Sequence, residues 1–225
     1  MALFNAPMQG FVPCIANIQR SQLLSMPPFP HPQKEPCRET HNLRHIAYDW
    51  HGKKTRGEPQ WGLDIKGGFL SLRGVVYAPP MRLSEGRGGS FVEGVWEKDL
   101  IELFLLNPDS GYYVEFNLGP QGEWWWCTFI APRVRAVATP RPLLGVITNA
   151  CISEESWDST LYVPLSSLPR RLAFCPDTTK GNIAFCLGDP QQYITLADLG
   201  DGPPDFHRPD KWIPLAKLLG ANTQI

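Results

Sequence analysis

Residues 94–135, GVWEKDLIELFLLNPDSGYYVEFNLGPQGEWWWCTFIAPRVR, decide the fold. Four of the eight tryptophans lie here. Asn-Pro-Asp-Ser-Gly at 107–111 and Gly-Pro-Gln-Gly at 119–122 are turn chemistry, because proline presets φ and glycine supplies positive φ. The intervening runs are rich in β-branched and aromatic residues, which suit a pleated surface. Three consecutive antiparallel strands are predicted.

A register follows from the pattern. Pairing Leu105 with Tyr112 sets Leu103 opposite Val114 and Ile101 opposite Phe116, giving one wholly apolar face. Carrying on with Leu118 opposite Glu123 sets Phe116 against Trp125, Val114 against Cys127 and Tyr112 against Phe129 on that same face. The other face then holds Leu100, Glu102 and Phe104, then Tyr113, Glu115 and Asn117, then Trp124, Trp126 and Thr128. Glu102 falls directly across from Glu115, with Cβ atoms about 4.5–5.5 Å apart. Like charges so placed destabilise a sheet unless a polyhydroxylated ligand, a cation, an arginine or a shared proton compensates. Carboxylates and an amide beside indole rings suit a sugar, whose apolar faces stack while its hydroxyls bond. The competing reading has Trp124 and Trp126 covered by another segment, with the glutamates at a solvated edge.

Outside this stretch the chain reads as many short strands. Twenty-three prolines and twenty glycines are spread over 225 residues, which favours strands and turns over helices. Further strands are expected at 69–78, 145–153, 156–169, 181–189 and 191–199, giving a two-sheet antiparallel β-sandwich of eight to eleven strands. Residues 1–40 carry seven prolines along with Phe4, Phe11, Leu23 and Leu24, and are expected to form an extended arm laid over the domain of residues 41–225. The loop SEGRGGS at 84–90 lacks the lysine and helix of a phosphate-binding loop, and is expected to be flexible, near the binding edge.

Composition excludes several classes. A net charge of −1 with 19% charged residues gives no footprint for nucleic acid or an anionic membrane. No apolar run approaches a membrane-spanning length. The six cysteines form no C-x-x-C pair, and Cys127, Cys151 and Cys186, lying in apolar runs, are expected as buried free thiols. His41, His45 and His51 lack a third ligand at motif spacing, so they are read as surface or edge residues. The N-terminus shows no basic region ahead of an apolar core, so a cytoplasmic location is expected.

Trp96-Glu-x-Asp-x-Ile-Glu-Leu-Phe104 and Tyr113-x-Glu-Phe-Asn-Leu-x-Pro-x-Gly-x-Trp124 resemble the DOMON-like family 9 carbohydrate-binding modules. WDSTLYVPL at 157–165, GNI at 181–183 and DFHRPDKW at 205–212 follow in that family's order, so the resemblance covers roughly residues 40–218. It implies a β-sandwich that binds sugar without cleaving it, clamping a terminal sugar between two aromatic rings. Trp96 matches the first ring, Glu102 the acidic partner, and Phe206 or His207 the second ring, where the sugar binders have tryptophan. Glu115 stands where those binders carry a basic residue. No cofactor is expected; some members hold structural calcium, for which no site is placed here.

The expected ligand contacts are therefore Trp96, Glu102, Glu115, Asn117, Trp124, Trp126, Phe206 and His207, with a carbohydrate as partner. Three other classes stay open. Glu102 and Glu115 could act as a retaining glycosidase pair about 5–5.5 Å apart. Related sandwiches hold haem through methionine and histidine, but Met81 is the only methionine beyond the arm. The third is a structural or protein-interaction domain with its aromatics buried.

Overall fold

The computed structural model describes residues 42–220; the proline-rich arm and His41 lie outside the described residues. In chain order the strands are β1 (Arg44–His45), β2 (Gln60–Lys66), β3 (Phe69–Val76), β4 (Leu100–Leu106), β5 (Tyr113–Leu118), β6 (Trp124–Ala131) and β7 (Val134–Arg135). They continue with β8 (Ile147–Ile152), β9 (Trp157–Pro164), β10 (Lys180–Leu187), β11 (Gln192–Thr195) and β12 (Ile213–Pro214), and a short helix α1 (Leu215–Leu219) is the last element among the described residues. One sheet runs β1-β2-β3-β9-β8; the other runs β11-β10-β4-β5-β6-β7, with β12 also on β10. All pairings between these strands are antiparallel, and the two sheets pack as a β-sandwich.

The inter-sheet core explains the alternation. Leu70, Leu72, Trp157, Leu161 and Val163 from one sheet meet Ile101, Leu103, Leu105, Val114, Phe116 and Leu118 from the other. These are the inward positions of period-two strands, and their burial supplies the main driving force for folding.

The register of the central stretch differs from expectation in two ways. In the first hairpin the pairs are Leu105↔Val114, Leu103↔Phe116 and Ile101↔Leu118, displaced by two residues. Asn107 causes this: its N–H donates to Tyr112 O at 2.9 Å, and its Oδ1 accepts from Asp109 N at 2.9 Å, so the loop is only residues 108–111. A shift of two preserves the faces, so Glu102 and Glu115 do share one. Glu102 now sits opposite Asn117, with Glu115 opposite Phe104, making the two glutamates diagonal neighbours.

The second hairpin is displaced by one residue, which reverses its faces. Phe116 pairs with Trp126, Leu118 with Trp124, and Gly119 N donates to Glu123 O at 2.8 Å. The loop is the three residues Pro120, Gln121 and Gly122, with Gly122 at φ 81°, an arrangement common in hairpins. Trp124 and Trp126 therefore point into the inter-sheet core, while Trp125, Cys127 and Phe129 join the glutamate face.

That face is not solvated either. Ala197, Leu199, Phe206 and Trp212 from the C-terminal loop lie over Leu100, Phe104, Tyr113, Trp125 and Ala184, forming a second core. The loop is pinned by Trp50 Nε1 donating to Gly202 O at 2.8 Å, Arg208 Nη1 to Leu199 O at 2.6 Å and Trp212 Nε1 to Phe206 O at 3.1 Å. Trp212 packs 5.3 Å from Phe104 and 5.2 Å from Tyr113 between centroids; aromatic pairs of this kind add about 0.5–1.5 kcal/mol beyond burial.

Two smaller expectations are also corrected. Cys151 is exposed because β8 is an edge strand, whereas Cys127 and Cys186 are buried free thiols. The 84–90 loop docks on the second turn: Ser84 Oγ donates to Glu123 Oε1 at 3.0 Å, and Gly89 N donates to Gly122 O at 3.1 Å. No helix among the described residues is long and apolar enough to cross a membrane.

Candidate functional site

The second core is incomplete. Between the glutamate face, the C-terminal loop and the β6–β7 turn lies an open cleft of about 660 Å³. Its floor is Glu102, Glu115, Trp125, Phe129 and Cys186 from β4, β5, β6 and β10. Trp96 comes from the 3₁₀ turn Val95–Glu97, and Phe206 and His207 from the C-terminal loop. Arg133 and Arg135 come from the β6–β7 hairpin, and Arg82, Gln191 and Tyr193 from other loops and strands.

Of the residues expected from the sequence, five line this cleft together: Trp96, Glu102, Glu115, Phe206 and His207. Three do not. Trp124 and Trp126 are 4% and 8% exposed in the inter-sheet core, with Nε1 atoms donating to Gly89 O at 3.2 Å and Arg141 O at 2.7 Å. Asn117 is fully buried beneath the cleft, and its Nδ2 donates to Glu115 Oε1 at 2.7 Å. Asn117 holds Glu115 in place; it does not reach the open volume.

Trp96 is half-buried and edge-on to Trp125, with centroids 4.8 Å apart. The Arg135 guanidinium lies 5.3 Å from the Trp96 ring and 4.9 Å from Trp125. Glu93 fixes this group, accepting from Trp125 Nε1 at 2.7 Å and from Arg135 Nη1 at 2.8 Å. Phe206 is 7% exposed and packs among Trp50, Phe104 and Tyr193, so it offers the cleft little more than a ring edge.

Arg133 occupies the second position of a two-residue turn after Pro132, at φ 60°. The left-handed region strains a residue with a Cβ, and such strain is found at functional sites held by their surroundings. Here the surroundings are specific: Arg133 N donates to Tyr113 Oη at 3.1 Å, and Arg133 Nη2 donates to Asp205 Oδ1 at 2.8 Å. Asp205 also accepts from His207 N at 3.1 Å. Burial alone would raise the Asp205 pKa, but the His207 N–H and Arg133 hold it below the usual value.

Electrostatics set the protonation states. Burial and the neighbouring Glu115 push the Glu102 carboxyl well above the usual range, against the opposing pull of Arg133. Burial likewise raises Glu115 to about 7, opposed by the Asn117 hydrogen bond, Arg135 and Arg133. Burial and then Arg133 lower His207 to about 4, so its ring is neutral at pH 7. Its Nδ1 is 2.7 Å from Tyr113 Oη, and its Nε2 is 3.6 Å from Glu115 Oε2. With a neutral imidazole, that last contact is not an ion pair.

The arginines were the signal missed in the sequence. The resemblance led to an expectation that Glu115 replaces a basic group, yet basic groups arrive from the next hairpin, in APRVRA at 131–136. Pro-Arg ahead of an alternating arginine was the available clue. No group of three or more metal-ligating side chains occurs among the described residues.

No family model matches the chain. It is 28% identical over 189 residues to the UPF0462 protein C4orf33 homolog of Mus musculus, covering 78% of this chain and 92% of that one. Among solved structures it is similar to a Bacteroides uniformis protein proposed to bind carbohydrate, with a TM-score of 0.61 at 17% identity, over 77% of this chain and 84% of that one. At this identity the shared property is the fold, a two-sheet antiparallel sandwich. A family 9 carbohydrate-binding module of Caldicellulosiruptor kristjanssonii, solved with glucose, aligns more loosely, with a TM-score of 0.45 at 13% identity over 76% and 82% of the two chains.

Proposed function

We propose that the chain is a non-catalytic carbohydrate-binding domain whose ligand occupies the cleft above β4, β5 and β6. The carrying observation is the composition of the cleft wall. The half-buried Trp96 offers aromatic surface, backed by the buried rings of Trp125 and Phe129, beside Glu102, Glu115, Gln191 and three arginines in one open volume of about 660 Å³. A cleft of that size with convergent polar groups suits a small ligand. Aromatic rings take the C–H faces of a sugar, and the carboxyls and guanidiniums take its hydroxyls. The fold relative proposed to bind carbohydrate points the same way. Trp96 is the stacking platform in this reading, with Glu102 and Glu115 as hydroxyl partners. Titration calorimetry of the full chain against mono- and oligosaccharides tests it: heat is expected with at least one sugar and is lost in Trp96→Ala. Silence across the panel would sink the proposal.

A second reading is favoured by one observation. Glu102 and Glu115 are buried diagonal neighbours on one sheet face, Glu115 raised by burial to about 7 and Glu102 raised well above its ordinary range, an arrangement suited to proton transfer at neutral pH. Turnover of aryl glycosides, abolished in Glu115→Gln, would replace binding with catalysis.

A further inference from the structure

The polar groups facing the cleft are unevenly matched. Glu102 is 5% exposed and its carboxyl makes no hydrogen bond among the described residues. The Arg82 guanidinium, on a half-buried residue, likewise has no hydrogen bond or ion pair among them. Arg133 and Arg135 commit one nitrogen each to Asp205 and Glu93, which leaves further N–H groups on each fork. The acceptors are fewer, and the exposed carboxylate of Glu97 is the freest of them. Glu115 Oε1 takes the Asn117 bond, and Gln191 Oε1 accepts from Tyr193 Oη at 3.1 Å.

Three guanidiniums make N–H donors the larger part of the wall, and burial favours the protonated form of Glu102. A neutral sugar's hydroxyl oxygens can accept from guanidinium N–H groups, but they bring no charge to balance an unpaired arginine. A sugar bearing an anionic substituent brings acceptors in excess and a charge for Arg82.

We infer that the ligand is a sugar carrying a carboxylate or phosphate, with its anionic group on the Arg82 guanidinium and its ring over Trp96. This inference rests on the carbohydrate-binding reading and narrows it to a ligand class. Arginine suits both anions, because its fork meets two oxygens at once.

The test is calorimetry of the full-length chain with D-glucose, D-glucuronate and D-glucose 6-phosphate, at low and raised salt. At least one anion is expected to bind about tenfold or more tightly than glucose, the scale of one charge-assisted hydrogen bond. The better anion identifies the group. Raised salt should shrink the advantage, Arg82→Gln should bring the anion down to the affinity that the same variant shows for glucose, and Arg82→Lys should keep part of the advantage. Glucose binding as tightly as both anions overturns the inference and leaves sugar binding standing. No heat with any of the three or with the wider sugar panel overturns both. Should Arg82→Gln fail to fold, an anion advantage unmoved by salt in the unaltered chain overturns the assignment.

Discussion

Glu115 and Asn117, two residues apart on β5, point to the same side of the sheet and are joined by a 2.7 Å hydrogen bond from Asn117 Nδ2 to Glu115 Oε1. The bond favours the ionised carboxylate, and burial opposes it more strongly, which leaves Glu115 titrating at about 7. Neutral pH is thus where this carboxyl changes state.

A pH dependence of stability follows from that balance. The folded chain keeps a proton on Glu115 that the unfolded chain gives up near the ordinary value of 4.5, so stability falls as pH rises from about 4.5 to about 7. His207, lowered from 6.5 to about 4, acts oppositely and weakens the fold as pH falls through that range. Glu115→Gln keeps an acceptor for Asn117 and removes the cost of ionisation. It is expected to stabilise the chain at about pH 8 by on the order of 2 kcal/mol, with little effect at about pH 4. Urea unfolding at both pH values checks this, and an equal effect at the two would contradict it.

The reversed face of β6 puts Trp126 in the core and predicts a different outcome for it than for Trp96 at the cleft. Trp126 lies in the inter-sheet core, 6.4 Å from Phe116 between centroids, so Trp126→Ala should destabilise by about 3–5 kcal/mol. Trp96 is half-buried at the cleft, so Trp96→Ala should remove sugar heat with a smaller loss of stability. Denaturant curves on both variants separate these roles, which exchange if the core and cleft assignments are wrong.

Gly122 decides which tryptophans face which way. Its φ is 81°, and a Cβ there would approach Thr148 Oγ1 to 2.9 Å. Gly122→Ala therefore combines left-handed strain with a close contact and should lower stability by about 1–3 kcal/mol. A thermal midpoint equal to that of the unaltered chain would argue against the three-residue loop.

Arg133 offers a case in which stability and binding part company. Glycine at this position relieves strain of about 1–2 kcal/mol and keeps the N–H that donates to Tyr113. The ion pair lost with Asp205 is an exposed one, worth about 0–1 kcal/mol. Arg133→Gly should thus fold as well as or better than the parent while binding ligand more weakly, as paired calorimetric and unfolding measurements will show.

Much of the sandwich was legible in the sequence because β-strand alternation and turn residues are local properties. The placement of β3, β8, β9, β10 and β11 followed from them, as did the shared face of Glu102 and Glu115. Loop geometry was harder to read. Gly-Pro-Gln-Gly marks a turn, but its length fixes the parity of the next strand, and one residue exchanged Trp124 and Trp126 for Trp125. The cleft walls were less legible still, because Arg82, Arg133 and the loop around Phe206 are distant in sequence and meet only after both sheets close. Trp96, Phe206 and His207 were singled out by motif order, which carries information that periodicity lacks.

Because β4 and β5 are buried on both sides, by the inter-sheet core below and the C-terminal loop above, no residue from Tyr113 to Leu118 exceeds one-tenth exposure. Their amides have no short route to solvent by local fraying, and should exchange hydrogen only when the sandwich opens as a whole. Whatever settles in the cleft thus rests on the slowest-opening part of the molecule. The rim around Trp96 and Arg82 lies outside these two strands, so any fitting to a ligand falls to it.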